Sequence, residues 1–302
     1  MISTVSWSVV LRSSPIVSPA LPTTRPVDVS HHWPEGWRQR TAVMGVINIT
    51  PDSFSDGGRF TKVEAAVQEA KRQLQQGADV LDLGAQSTRP GATEVGAEEE
   101  CRRLLPVLAA VREQWPEVLI SVDTFLAPVA TAALEAGASW INDVSGGRRD
   151  PELLRVVADA GCPVVLMHSR GNSQTMDDLT DYSDLIQEVK SGLLERTDSA
   201  VTAGVREDQI IWDPGLGFAK THEQNLRMLK DLEQLTCEPR PLLVGPSRKR
   251  FIGAVLDEPR PKARLWGTAA VACRCAQAGV ALVRVHDVGP IAQTLRMASA
   301  LW

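Results

Sequence analysis

From Ala42 onward one physical pattern recurs along the chain: a short continuous apolar run, a stretch of helical period, and in most cases a glycine before the next run. An unbroken apolar run marks a strand buried on both faces, and a helix between two such runs makes a parallel crossover. The runs fall at Val43 to Ile47, Val80 to Leu83, Leu119 to Val122, Trp140 to Ile141, Val164 to Met167, Ile210 to Trp212, Leu242 to Val244 and Leu282 to Val285. Eight alternating units in about 260 residues fit a TIM (β/α)8 barrel, whose usual length is ~250 residues. A doubly wound open sheet is the alternative. The barrel is favoured because nearly every run ends in a polar or charged cluster, as a site ringed by eight strand-to-helix loops requires. Residues 41–302 then form the barrel, and residues 1–40 a short, flexible N-terminal extension.

Local punctuation supports the helices. Thr61 with Glu64 reads as a capping box, followed by one apolar face of Val63, Ala66, Val67, Ala70 and Leu74 that Gly77 closes. Asp150 before Pro151 reads as an N-cap with a first-turn proline, and Gly161 ends that helix. Thr221 and Gln224 repeat the capping box, and Gly137, Gly204 and Gly279 repeat the helix stop. Pro106 breaks a helical stretch and should kink or start a helix.

Composition narrows the partners. A formal net charge of -5, with basic residues scattered rather than blocked, gives no footprint for nucleic acid. Five widely spread cysteines, an odd number in a chain of 302 residues, read as free thiols in a reducing, cytoplasmic setting. Cys273 and Cys275 are too close to share a helix face and have no second pair to make a metal site. No apolar run reaches the ~20 residues of a membrane span, and the leader lacks the apolar segment of a secretory signal. His31 and His32 read as surface residues.

The polar clusters that end the eight runs are Asn48 and Thr50; Gln86 to Arg89; Asp123; Asn142 and Asp143; His168; Asp213; Ser247 to Lys249; and Arg284, His286 and Asp287. Any one could be a solvated strand end or a helix cap. Eight together imply a site. Asp123, Asn142 and Asp213 offer carboxylate and amide groups suited to the donor edge of an amino-pyrimidinone ring, since a carboxylate accepts two parallel hydrogen bonds from such an edge. Arg89, Lys249, Arg284 and His286 converge as positive charge in an acidic chain, which fits a phosphate- or carboxylate-bearing substrate. The segments Thr50 to Gly58 and Ser87 to Gly91 are rich in small, turn-forming residues and read as mobile lids. No G-x-G-x-x-G and no Walker lysine is present. His168, with no nucleophile beside it in sequence, reads as pocket wall or structural support.

The order of motifs is recognisable: M-G-V-I-N-I-T-P-D-S-F-S-D-G-G (Met44 to Gly58), S-T-R-P-G-A (Ser87 to Ala92), V-D-T (Val122 to Thr124), I-N-D-V-S-G (Ile141 to Gly146), D-P-G-L-G-F (Asp213 to Phe218), G-P-S-R-K (Gly245 to Lys249) and R-V-H-D-V (Arg284 to Val288). From about residue 42 to 290 the chain resembles the dihydropteroate synthases. The resemblance implies a transferase of folate biosynthesis, a family targeted by sulfonamides. It joins 6-hydroxymethyl-7,8-dihydropterin pyrophosphate to p-aminobenzoate and releases pyrophosphate. It implies Asp123, Lys249 and Arg284 as catalytic residues, and Asp123, Asn142, Asp213, Lys249 and Arg284 around the pterin, with Arg284 stacked over it. Thr88, Arg89, Phe218 and Lys249 would shape the p-aminobenzoate pocket. Asn48, Thr88, Arg284 and His286 would meet the pyrophosphate, and Asn48 would carry Mg²⁺. A homodimer is implied as well.

Two positions depart from the family pattern. Ala85-Gln86-Ser87 stands where the family has G-E-S, which neutralises one carboxylate, and Arg250 stands where the family has a serine that meets the p-aminobenzoate carboxylate. Arg250 is expected to take over that role by a charge-assisted fork. A pterin-dependent methyltransferase and a non-catalytic pterin-binding paralogue are the rival readings. The T-P-D-S-F and S-R-K-R segments, which serve pyrophosphate and p-aminobenzoate in the resemblance, argue against the first.

Overall fold

The computed structural model describes residues 32–50, 59–87, 91–92 and 94–301. Eight parallel strands alternate with helices: β1 (Ala42–Asn48), α1 (Arg59–Gln75), β2 (Val80–Gly84), α2 (Ala97–Gln114), β3 (Leu119–Asp123), α3 (Ala127–Glu135), β4 (Trp140–Asp143) and α4 (Glu152–Ala160) form the first half. The second half is β5 (Val164–Met167), α5 (Leu185–Thr202), β6 (Ile210–Asp213), α6 (His222–Lys230), α7 (Glu233–Thr236), β7 (Leu243–Val244), α8 (Arg250–Leu256), α9 (Leu265–Gln277), β8 (Leu282–Val285) and α10 (Val288–Ser299). The hydrogen-bonded order runs β6-β5-β4-β3-β2-β1-β8-β7. A parallel bridge between Trp212 and Leu242 joins β6 to β7 and closes the ring, as the eight apolar runs require.

Burial explains why the runs are continuous rather than alternating. One face of each strand feeds a large core shared with the helices, including Ile47, Leu83, Val122, Ile141, Trp212 and Val285. The other face feeds the barrel interior, where Met44, Val80, Trp140, Val165, Ile211, Leu243 and Leu282 form an apolar lower layer. Above that layer the inward positions become polar, and there the site is built.

The junction glycines behave as the sequence indicates: Gly77, Gly137, Gly161, Gly204 and Gly279 all have φ between 68° and 102°. That left-handed backbone ends a helix at no steric cost only when Cβ is absent. Thr221 and Gln224 form the expected capping box, with bonds of 2.8 and 3.2 Å. Asp150 Oδ1 accepts from Glu152 N at 3.2 Å at the start of α4, one residue before Pro151, which takes the N-cap position itself. Two expectations need correction. Helix α1 already includes Arg59, so Thr61 lies inside it and cannot be its N-cap. Helix α2 runs through Pro106, which therefore does not start a helix.

The domain boundary also moves. Residues 32–40, assigned to the extension by sequence, pack as a plug under the barrel. Trp33 and Trp37 stack with centroids 4.5 Å apart, Trp33 meets the fully buried Trp140 at 5.4 Å, and the Trp140 indole N–H donates to the His32 carbonyl. Arg40 forks onto Asp79 at 2.9 and 2.5 Å, which fastens the segment beside β2. His32 is thus half-buried rather than a surface residue, while His31 lies outside the described residues. The thiols are free, but only Cys162 and Cys275 are buried and Cys237 is exposed.

Candidate active site

The upper interior layer gathers side chains from β2, β3, β4 and β8 around one guanidinium. Arg284, from β8, donates through Nε to Asp82 Oδ2 at 2.6 Å and through a terminal nitrogen to Asp123 Oδ2 at 2.7 Å. Asn142 Nδ2, from β4, lies 3.4 Å from the same Asp82 oxygen. Asp82 and Asp123 are buried, and the ion pairs draw β2, β3 and β8 together at the mouth. Burial pushes the Asp123 carboxyl well above the usual carboxylate range, against the pull of Arg284, while Asp82 and Glu100 add like charge. Arg284 is held charged by its two carboxylates.

Asp213 ends β6 and is also buried, with Oδ1 accepting from Gly215 N at 2.7 Å. Burial raises its pKa, opposed by that backbone bond and by Lys249, Arg284 and Lys220. Lys249 stands just before α8, and burial lowers its pKa to about 8 although Asp213 supports the charge. Its Nζ sits 4.3 Å from the centre of the Phe218 ring, a cation-π contact. The loop carrying Lys249 is tied to the one after β8: Arg248 forks onto Asp287 at 3.0 and 2.7 Å, and Ser247 Oγ lies 2.9 Å from His286 Nδ1.

Carboxylates and an amide on a floor, cations above them and an aromatic wall suit a flat ring with donor edges that carries an anion. Residues 44–286 match the family described as pterin binding enzyme. The chain belongs to that family. It is 51% identical over 266 residues to the dihydropteroate synthase of Synechocystis, covering 88% of this chain and 92% of the relative. It is 44% identical to that of Bacillus subtilis, over 88% of this chain and 90% of the relative. A dihydropteroate synthase structure from Xanthomonas albilineans with 4-aminobenzoic acid superposes with a TM-score of 0.82 at 44% identity, covering 87% and 93% of the two chains. The Clostridium difficile synthase structure obtained in the presence of pteroic acid gives 0.83 at 40% identity, covering 88% and 98%.

Within this pterin-binding barrel, the strand-end residues Asn48, Asp123, Asn142, Asp213, Arg284 and His286 come to one mouth. Thr88, Arg89 and the segment 51–58 lie outside the described residues. Arg250 opens α8, half-exposed, and forks onto Asp177 at 3.1 and 2.6 Å. Gln86 is buried and its Oε1 accepts from Val95 N at 2.9 Å, so the neutral side chain holds the loop after β2. His168 is a support as read: it is buried, with Nδ1 3.1 Å from Lys220 Nζ.

Sequence reading missed Asp82, Glu100 and Lys220. Asp82 sits mid-strand in V-L-D-L-G, where an acid inside an apolar run was the available signal. Glu100 lies in an acidic first turn of α2 and looks like an ordinary dipole partner. Neither signal is a strand end.

Proposed function

We propose that this chain is a dihydropteroate synthase, acting on 6-hydroxymethyl-7,8-dihydropterin pyrophosphate and p-aminobenzoate. The observation that carries the reading is the Asp82–Arg284–Asp123 bridge beside Asn142 and Asp213: a charged floor for a pterin edge, with a guanidinium at its rim. The nucleophilic nitrogen of p-aminobenzoate bonds to the pterin methylene as the carbon–oxygen bond to pyrophosphate breaks, and that nitrogen then loses its proton to solvent. An aniline nitrogen is neutral at pH 7, so no strong base is needed. The main demand is charge stabilisation on the leaving group and the pterin. Arg284 and His286 meet the departing anion, Asp123 stabilises positive charge on the pterin, Lys249 and Phe218 bound the second-substrate pocket, and Thr88 and Arg89 complete it.

Among the described residues no three His, Cys, Asp or Glu side chains group to cage a metal. Asn48 offers one amide oxygen, which fits an ion that brings phosphate oxygens and waters with it. Mg²⁺ held by Asn48 and the diphosphate would neutralise charge on the leaving group. Excess chelator should then stop turnover and leave the ligand-free melting temperature unchanged. A cytoplasmic homodimer goes with this reading; no helix among the described residues is long and apolar enough to cross a membrane.

The deciding experiment measures pyrophosphate release with both substrates and with each alone. Release only with both supports the synthase. Release from the pterin pyrophosphate alone at the same rate, or none with both, overturns it.

A further inference from the structure

The turn that follows β6 is left-handed at three positions, two of them glycines and one an alanine that does not favour it. Within five residues the backbone enters the left-handed region at Gly215 (φ 68°), Gly217 (φ 77°) and Ala219 (φ 47°). For Ala219 that conformation costs roughly 1 kcal/mol. The turn also packs hard against the end of β5, since a Cβ on Gly215 would stand 2.0 Å from the His168 carbonyl oxygen.

One side chain fastens it from beneath. Lys220 Nζ donates to the carbonyls of Gly215 and Phe218, both at 3.1 Å, and lies 3.1 Å from His168 Nδ1. In its charged form Lys220 has three donors and no acceptor, so His168 then receives the third proton at Nδ1 and keeps its own on Nε2. Burial and the Lys220 charge, with Arg170 and Arg148 adding to it, push His168 down to about 2, which keeps the ring neutral for that role. Lys220 is only 7% exposed. Further bonds hold the same turn from outside: Gly217 N donates to Asn225 Oδ1 at 2.6 Å, and the Tyr182 hydroxyl donates to the Ala219 carbonyl at 3.0 Å. What the turn presents is the Phe218 ring under Lys249 Nζ.

We propose that Lys220 is a positioning residue for the second substrate, whose buried amino group fixes turn 215–218 and so sets the Phe218 ring against which an aromatic amine packs beside Lys249. This rests on the reading of Phe218 and Lys249 as walls of the p-aminobenzoate pocket. Burial lowers Lys220 to about 7 although Asp213 supports the charge, and the acceptors on all three of its donors offset part of that cost. The cost is met at a turn whose side chain faces the substrate, and Lys220 reaches neither substrate itself because its donors are already taken.

The test varies each substrate in turn for Lys220→Met. The KM for p-aminobenzoate should rise about tenfold, with kcat at saturation within about threefold and calorimetric pterin affinity within about twofold of the parent. A lysine that only supports the fold would weaken both substrates together or leave both unchanged; either result overturns the proposal. If Lys220→Met does not fold, Lys220→Gln retains donors with less reach and should show the same split, and an unchanged p-aminobenzoate KM in that folded variant is equally fatal. Phe218→Ala, measured in parallel, separates the failures. A normal KM there overturns the proposal by removing the pocket wall it rests on. A raised KM there with a normal KM in the lysine variants removes Lys220 alone.

Discussion

Arg284 serves two buried carboxylates at once, while Glu100, 1% exposed, has among the described residues no ion pair and no well-formed hydrogen bond to either carboxylate oxygen. Burial pushes Glu100 from 4.5 up to about 7, with the Thr124 hydroxyl and Arg103 opposing it. The folded state therefore binds that proton more tightly than the unfolded chain. The stability it confers is complete below pH 4.5 and is lost as pH rises through 7, on the order of 3 kcal/mol. Glu100→Gln cannot titrate, so its denaturant-measured stability should fall less between pH 5 and pH 8 than the parent's. Parallel pH profiles for the two proteins would show that Glu100 does not hold the proton. Asp213 is the other residue with an isolated job, because one oxygen already serves Gly215 and leaves the second for a ligand edge. Asp213→Asn keeps an acceptor for Gly215 but removes the charge, and should weaken pterin binding by roughly 10- to 100-fold, about 1.5–3 kcal/mol. A calorimetric affinity within twofold of the parent would remove Asp213 from the pterin floor.

At the scale of elements, periodicity made all eight strands legible because each is covered on both faces, and a run such as Val164–Met167 can be little else. Strand β7 was hardest to bound. Only Leu243–Val244 pair as a strand, and Leu242 contributes a single bridge, so an apolar run overstates a ladder that closure cuts short. The site was legible wherever a polar residue ended a strand, and illegible where it sat one register step lower, as Asp82 does. The plug at 32–40 was illegible because its signal joins a local pair, Trp33 and Trp37, to the distant Trp140, which only the barrel brings to it. Trp33→Ala should cost about 2 kcal/mol, less than a fully buried tryptophan because Trp33 is only partly covered. That corresponds to a melting temperature lower by roughly 4–8 °C. Neither substrate's KM should change, since the plug lies at the opposite end of the strands from the site. An unaltered melting temperature would mean that these indoles do not support the barrel.

Across the whole molecule, contacts between loops from different strands tie together the β5 to β8 side of the mouth. Arg248 and Asp287 join the loops after β7 and β8, Tyr182 and the Ala219 carbonyl join those after β5 and β6, and Arg250 with Asp177 spans from α8 to the loop after β5. The last pair is the exposed one, with side chains 55% and 53% accessible. Such a pair is worth up to about 1 kcal/mol, far less than a guanidinium gains from a carboxylate in a drier pocket. If Arg250 receives the p-aminobenzoate carboxylate, it must first leave Asp177, and the two carboxylates compete for one fork. Asp177→Asn releases the arginine and should lower the p-aminobenzoate KM by up to about fivefold, which is what 1 kcal/mol allows. Arg250→Ala should raise the same KM by roughly tenfold, and in the double variant the Asp177→Asn benefit should vanish because no arginine remains to be released. The pterin pyrophosphate KM should stay constant throughout. A p-aminobenzoate KM unmoved by Asp177→Asn and by Arg250→Ala would leave the pair as a tie between two loops, with the substrate carboxylate received elsewhere.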